Sequence, residues 1–195
     1  MRLLPHTSNG RRHKVTGLMT ANLTIATDSR EQKPHHFYDG KKHCSTLVKY
    51  TEAALDTFDY CVEGDWMPTD TPTLVRPNFA IERKSIADFI GSWFNKDNRK
   101  RELEKIERAR NWQRELGLPV VYVLDGGWTE IADYDYNRFP SGQVTAKVVA
   151  AMVDDLTYEN VLIRLSQSRQ HAEYQIVSLL KRRARDIKAR ERAKA

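Results

Sequence analysis

A chain of 195 residues, 40% hydrophobic and 30% charged, is long enough for one domain with a full core and short for two. Nothing approaches the roughly 18 apolar residues that span a bilayer, and no apolar leader opens the chain, so no membrane partner and a cytoplasmic setting are expected. Two cysteines, Cys44 and Cys61, build no disulfide framework and lack the spaced partners of a zinc site. The formal net charge of +6 is unevenly placed: residues 181–195 carry eight basic and two acidic side chains, and residues 1–20 four basic and none acidic. The middle is therefore mildly acidic, and basic arms around an acidic body suit a polyanion gripped at its periphery.

In chain order, residues 1–20 show no periodicity and are expected to form a disordered basic arm. Leu23 to Thr27 is a short buried strand that runs into Asp28-Ser29-Arg30-Glu31. A second strand follows Asp59, and the stretch from Glu63 to Pro77, stiffened by three prolines, lengthens the turn before the next one. Phe79 to Lys84 is a strand that ends at Ser85, which with Asp88 has the spacing of a helix N-cap and its first-turn acid. Ile86, Phe89, Ile90, Trp93 and Phe94 then recur at helical spacing. Asn98 to Leu116 is a further helix, with Leu103, Ile106, Ala109 and Leu116 expected inward. Val120 to Asp125 is a near-continuous apolar run, the mark of a central strand covered on both faces. A helix over Gly142 to Tyr158, a strand over Val161 to Leu165 and a final helix over His171 to Ile187 complete the order. The basic tail 181–195 has no glycine or proline and extends that helix.

The chemistry concentrates at Ile81-Glu82-Arg83-Lys84. Side chains alternate along a strand, so Glu82 and Lys84 share one face and Arg83 takes the other, where it braces neighbouring carboxylates. A carboxylate that can hold a divalent cation, beside an ammonium that can orient a water, is the core of a metal-dependent phosphodiesterase.

Three blocks in order carry a resemblance: Asp28-Ser29-Arg30-Glu31, then Asp59-Tyr60, then Glu82-Arg83-Lys84-Ser85-Ile86-Ala87-Asp88-Phe89-Ile90-Gly91-Ser92. This order resembles the nuclease domain of the XPF family, with its D-x-R-E, G-D-Y and E-R-K-S-x-x-D pattern, over about residues 23–180. The resemblance implies an α/β fold of the restriction-endonuclease type, a mixed central sheet flanked by helices, in a compact form such as phages or bacteria encode. It implies a Mg²⁺- or Mn²⁺-dependent endonuclease for branched or flapped DNA, acting in repair or recombination. Asp59 and Glu82 would be the main metal ligands, with Asp28 and Glu31 as further carboxylates, and Lys84 would serve the attacking water. Phe58 stands where the family has glycine, and Asp65 of Gly64-Asp65-Trp66 is a second candidate for the metal position.

For DNA, Arg99 matches a backbone-gripping arginine of the family, and Arg101, Arg30, Lys181, Arg182 and Arg183 join it as expected contacts. Arg30 is open to either a phosphate or Glu31. No P-loop is present, so no nucleotide cofactor is expected, and the chain has no room for the tandem helix-hairpin-helix module of eukaryotic relatives. A homodimer or a separate DNA-holding partner would supply that grip. Two alternatives share the fold: a catalytically silent DNA-binding scaffold and a dimeric Holliday-junction resolvase.

Overall fold

The computed structural model describes residues 23–35, 37, 48–139 and 143–195; the basic N-terminal arm and Cys44 lie outside them. Six strands form one sheet in the order β2-β1-β3-β6-β7-β8: Thr24–Asp28 (β1), Lys49–Ala53 (β2), Tyr60–Val62 (β3), Ala80–Ser85 (β6), Val120–Asp125 (β7) and Val161–Leu165 (β8). β1 pairs parallel with β2, β6 with β7, and β7 with β8, whereas β3 is antiparallel to both of its neighbours. β3 alone therefore runs backward in a sheet whose other strands share one direction. The segment between β3 and β6 folds into its own small hairpin, Trp66–Pro68 (β4) with Val75–Pro77 (β5), which accounts for the long proline-stiffened connection.

Both faces of the sheet are covered, as the apolar run of β7 requires. Val120, Tyr122 and Leu124 face helices Ile86–Phe94 (α1), Lys96–Gln113 (α2), Trp128–Ala132 (α3) and Ala146–Tyr158 (α4). Val121 and Val123 face the long helix Arg169–Lys194 (α5) through Ala172, Ile176, Val177 and Leu180. Ser85 caps α1 by accepting from the Asp88 N–H at 3.1 Å, while its hydroxyl donates to the Asp88 carboxylate at 2.6 Å. α5 continues unbroken through the basic tail. Among the described residues no helix is long and apolar enough to cross a membrane.

The inward face of α2 differs from the one expected. Leu103 is 45% exposed, and the buried stripe is Glu102, Ile106, Ala109 and Gln113. Glu102 holds its inner position because it has specific partners there, described below. The strand β2 and the helix α3 carry no strong sequence signal: β2 is a polar edge strand with three exposed positions, and α3 is only five residues long.

Candidate active site

Because β3 alone is reversed, the acid that precedes it arrives at the same sheet edge as the residues that end β1, β6 and β7. Asp28 ends β1, Lys84 and Ser85 end β6, and Asp125 ends β7. Asp59 joins this edge through its backbone: its N–H donates to the Ile81 carbonyl at 3.1 Å, and its carbonyl accepts from the Asp28 N–H at 2.8 Å. The carboxyl end of parallel strands is where open α/β sheets place their ligand sites.

Tyr60 pairs with Ile81 across β3 and β6, so one step further along the antiparallel register Asp59 lies opposite Glu82. Both are buried. Two like charges opposite one another are unfavourable, and the pair carries that cost in its protonation. Burial, and then the neighbouring Glu82, pushes the Asp59 carboxyl well above the usual carboxylate range. Glu82 is raised as well, chiefly by burial. Asp59 keeps one strong donor, the Arg83 N–H at 2.7 Å from its Oδ2.

Phe58 supplies the turn into this acid. Its φ of 65° lies in the left-handed region, which costs a residue with a side chain about 1–2 kcal/mol and favours glycine. The chain accepts that conformation at Phe58 because the ring is buried, edge-on to Tyr122 at 5.6 Å between centroids.

Helix α2 brings partners that the sequence pattern did not reveal. Lys105 places its ammonium 2.5 Å from Glu82 Oε1 and 5.5 Å from the centre of the Phe58 ring. Burial works to lower the Lys105 pKa, but Glu82, Asp59 and Glu102 together outweigh it and hold the group above its ordinary value. Lys84 donates to Glu102 Oε2 at 2.7 Å and to the Ser92 hydroxyl at 3.0 Å, and stands 3.8 Å from Glu82 Oε1. Glu102 in turn accepts from the Tyr122 hydroxyl at 2.6 Å, which fixes its inward position. Glu102 and Lys105 escaped notice because charged residues along a helix ordinarily form a solvated face.

The remaining acids have partners of their own. Asp28 lies opposite Asp59 in the β1–β3 register and on the same face, and it is held by its near neighbour Arg30, whose Nε lies 3.1 Å from each carboxylate oxygen. Arg30 therefore pairs with Asp28 and not with Glu31. Glu31 accepts from the Lys33 N–H at 2.9 Å and stands 3.5 Å from Arg83. Arg83 lies on the opposite face to Glu82, as strand alternation demands, and its guanidinium forms a close ion pair with Asp125. Among the described residues no group of three or more His, Cys, Asp or Glu side chains converges as a metal cage.

Asp65 and Arg183 answer each other. Arg183 donates to Asp65 Oδ2 at 2.6 Å through Nε and to Oδ1 at 2.8 Å through Nη2, a buried two-point pair. Asp65 follows the far end of β3, at the edge away from Glu82, and is spent on Arg183 and on Asn78 at 3.0 Å. The structure thus corrects two expectations: Asp65 is not beside the Glu82 position, and Arg183 is buried within the fold instead of facing DNA. Arg99, Arg101 and Arg182 are exposed, and Lys181 is half-buried.

A model of the ERCC4 domain matches residues 27–179. The chain belongs to the ERCC4 domain family. The ERCC4 fold is similar to that of XPF from Aeropyrum pernix, with a TM-score of 0.52 and 17% sequence identity over 80% of this chain. The match covers 64% of that chain, so this protein spans a little under two thirds of its length. No curated protein matches the chain.

The residues present fit a divalent cation. Glu82 Oε2 is buried with no hydrogen-bond partner among the described residues, and it belongs to a buried acid pair whose protons are held tightly. Carboxylate oxygens suit a hard ion such as Mg²⁺ or Mn²⁺.

Proposed function

We propose that this protein is a Mg²⁺- or Mn²⁺-dependent endodeoxyribonuclease that hydrolyses phosphodiester bonds in branched or flapped DNA. The observation that carries the reading is the buried Asp59–Glu82 pair, with an unpartnered Glu82 oxygen and the Lys84 ammonium on the same face.

Asp59 and Glu82 would hold the ion from two neighbouring strands. Once bound, it supplies Lewis acidity toward the scissile phosphate and a more acidic water. Asp59 is aimed by the Arg83 backbone N–H, and Glu82 by its place in the β6–β7 ladder. Lys84, steadied by Glu102 and Ser92, stands where it can orient the attacking water or meet charge developing on the phosphate. Arg99 and Arg101, exposed at the start of α2, would contact the DNA backbone, joined by Lys181 and Arg182 from α5. Selectivity for branches comes from the family, as does the need for a second copy or a separate partner to hold the duplex.

The test is cleavage of end-labelled flap, fork, four-way-junction and plain duplex DNA by the purified chain, in Mg²⁺, Mn²⁺ and chelator, alongside Glu82→Gln. Metal-dependent cutting of branched DNA that Glu82→Gln lacks is the expected result. Paired symmetric cuts across the four-way junction would select the resolvase alternative instead. A silent scaffold has one observation in its favour: Lys105 already holds Glu82 at 2.5 Å. DNA binding without cutting in either metal would select it.

A further inference from the structure

The strand motif Glu82-x-Lys84 is mirrored by Glu102-x-x-Lys105 on the facing helix. Residues three apart on a helix share a face, so α2 presents a base to Glu82 and an acid to Lys84. Fully ionised, these four groups cancel, and ionised Asp59 adds the excess negative charge of the cluster. Any divalent ion drawn to Asp59 and Glu82 meets the Lys105 ammonium already seated on one Glu82 oxygen. Two cations brought to one carboxylate in a buried site repel each other strongly. Phe58 offers the ammonium a second seat: the face of its ring lies 5.5 Å away, and aromatic faces attract cations.

Resting on the metal-dependent reading above, we propose that Lys105 is a positioning residue of the site: a built-in counter-ion that holds Glu82 in place before metal arrives and competes with the metal for it. Binding of the divalent ion frees the ammonium from Glu82 Oε1 and leaves it over the Phe58 ring. The Phe58 side chain, which stands where the family has glycine, thus has a purpose that offsets its backbone cost. Lys105 sets how tightly this chain binds its ion.

The experiment is calorimetric titration of the full chain with Mn²⁺ at fixed pH and ionic strength, for wild type, Lys105→Met, Lys105→Arg and Glu82→Gln. Methionine keeps the apolar stem against Phe58 and removes the charge. Lys105→Met is expected to bind Mn²⁺ at least about tenfold more tightly than wild type, Lys105→Arg to stay near wild type, and Glu82→Gln to lose the site. An affinity in Lys105→Met equal to or weaker than wild type, with Glu82→Gln still losing the site, overturns the role of Lys105 and leaves the metal site standing. Absence of Mn²⁺ binding in wild type and Lys105→Met alike overturns both. Should Lys105→Met not fold, the wild-type ammonium is followed by ¹⁵N NMR during Mg²⁺ titration, its signal assigned with Lys105→Arg. A signal that moves as the site fills supports release from Glu82, and one that stays fixed overturns it.

Discussion

On one face of the sheet edge Asp125 is flanked by Arg83, with the buried His35 ring at 3.6 Å and Arg169 at 3.7 Å; on the other, Asp59 faces Glu82. Both acids end up in low-dielectric surroundings, and their ionisation moves in opposite directions. Burial would raise Asp125, but the nearby His35 ring and the hydrogen bond from Arg83 outweigh it and hold the group below the usual range. Asp59 has one backbone donor and an acid for a neighbour, and it is pushed up. An acid supplied with cations is a brace. A buried acid pair whose two lysines both sit on Glu82, leaving Asp59 without an ion pair of its own, is a receptor for one.

The largest test of that contrast is functional. Glu82→Gln should lower metal-dependent cleavage by on the order of a thousandfold, with an unchanged circular dichroism spectrum, whereas Asp125→Asn should keep most of the activity. Next in size, Arg83→Ala strands Asp125 and Glu31 as poorly compensated, largely buried charges. It should cost about 3 kcal/mol in denaturant unfolding, and a loss under about 1 kcal/mol would remove the bracing role assigned to that face.

Phe58→Gly separates backbone strain from packing. Glycine relieves about 1–2 kcal/mol of left-handed strain, but deleting a buried aromatic ring costs about 3–5 kcal/mol. The cavity term wins, so the variant should be less stable by about 2 kcal/mol in thermal or denaturant unfolding. A stabilised variant would show the ring to be poorly packed.

The smallest effect is a pair of opposite pH slopes in metal-free protein. Asp59 binds its proton more tightly folded than unfolded, so stability falls as pH climbs above its ordinary 3.8 toward its raised folded value. Asp125 binds its proton less tightly when folded, so its contribution is present above 3.8 and is lost as pH drops through its lowered folded value. Asp59→Asn should flatten the first limb and Asp125→Asn the second in thermal unfolding followed from about pH 2 to 7. If either substitution changes the other limb, the two acids are not independent across the sheet.

The parts legible in the sequence are those with local rules. Two-residue alternation placed Glu82 and Lys84 together and sent Arg83 to the far face. The Ser85–Asp88 cap and the apolar run of β7 are likewise written in adjacent residues. What escaped depends on contacts between distant segments. Glu102 and Lys105 look like solvated helix charges until β6 is laid beneath them. Leu103 looks like a core residue until Tyr122 and Lys84 draw the neighbouring acid inward. The Asp65–Arg183 pair joins positions 118 residues apart, and no local pattern couples them. The left-handed turn at Phe58 goes against its residue's own preference, so only the observed φ reveals it.

That long-distance pair also fixes a lever. Arg183 clamps α5 to the body of the fold, and beyond it the helix runs a further roughly 16 Å at 1.5 Å per residue, through exposed Arg190, Arg192 and Lys194. Its cationic load is therefore carried on a stiff spar of set length and bearing. Loosening the clamp at Asp65 would swing that load through a wider arc and leave its magnitude unchanged.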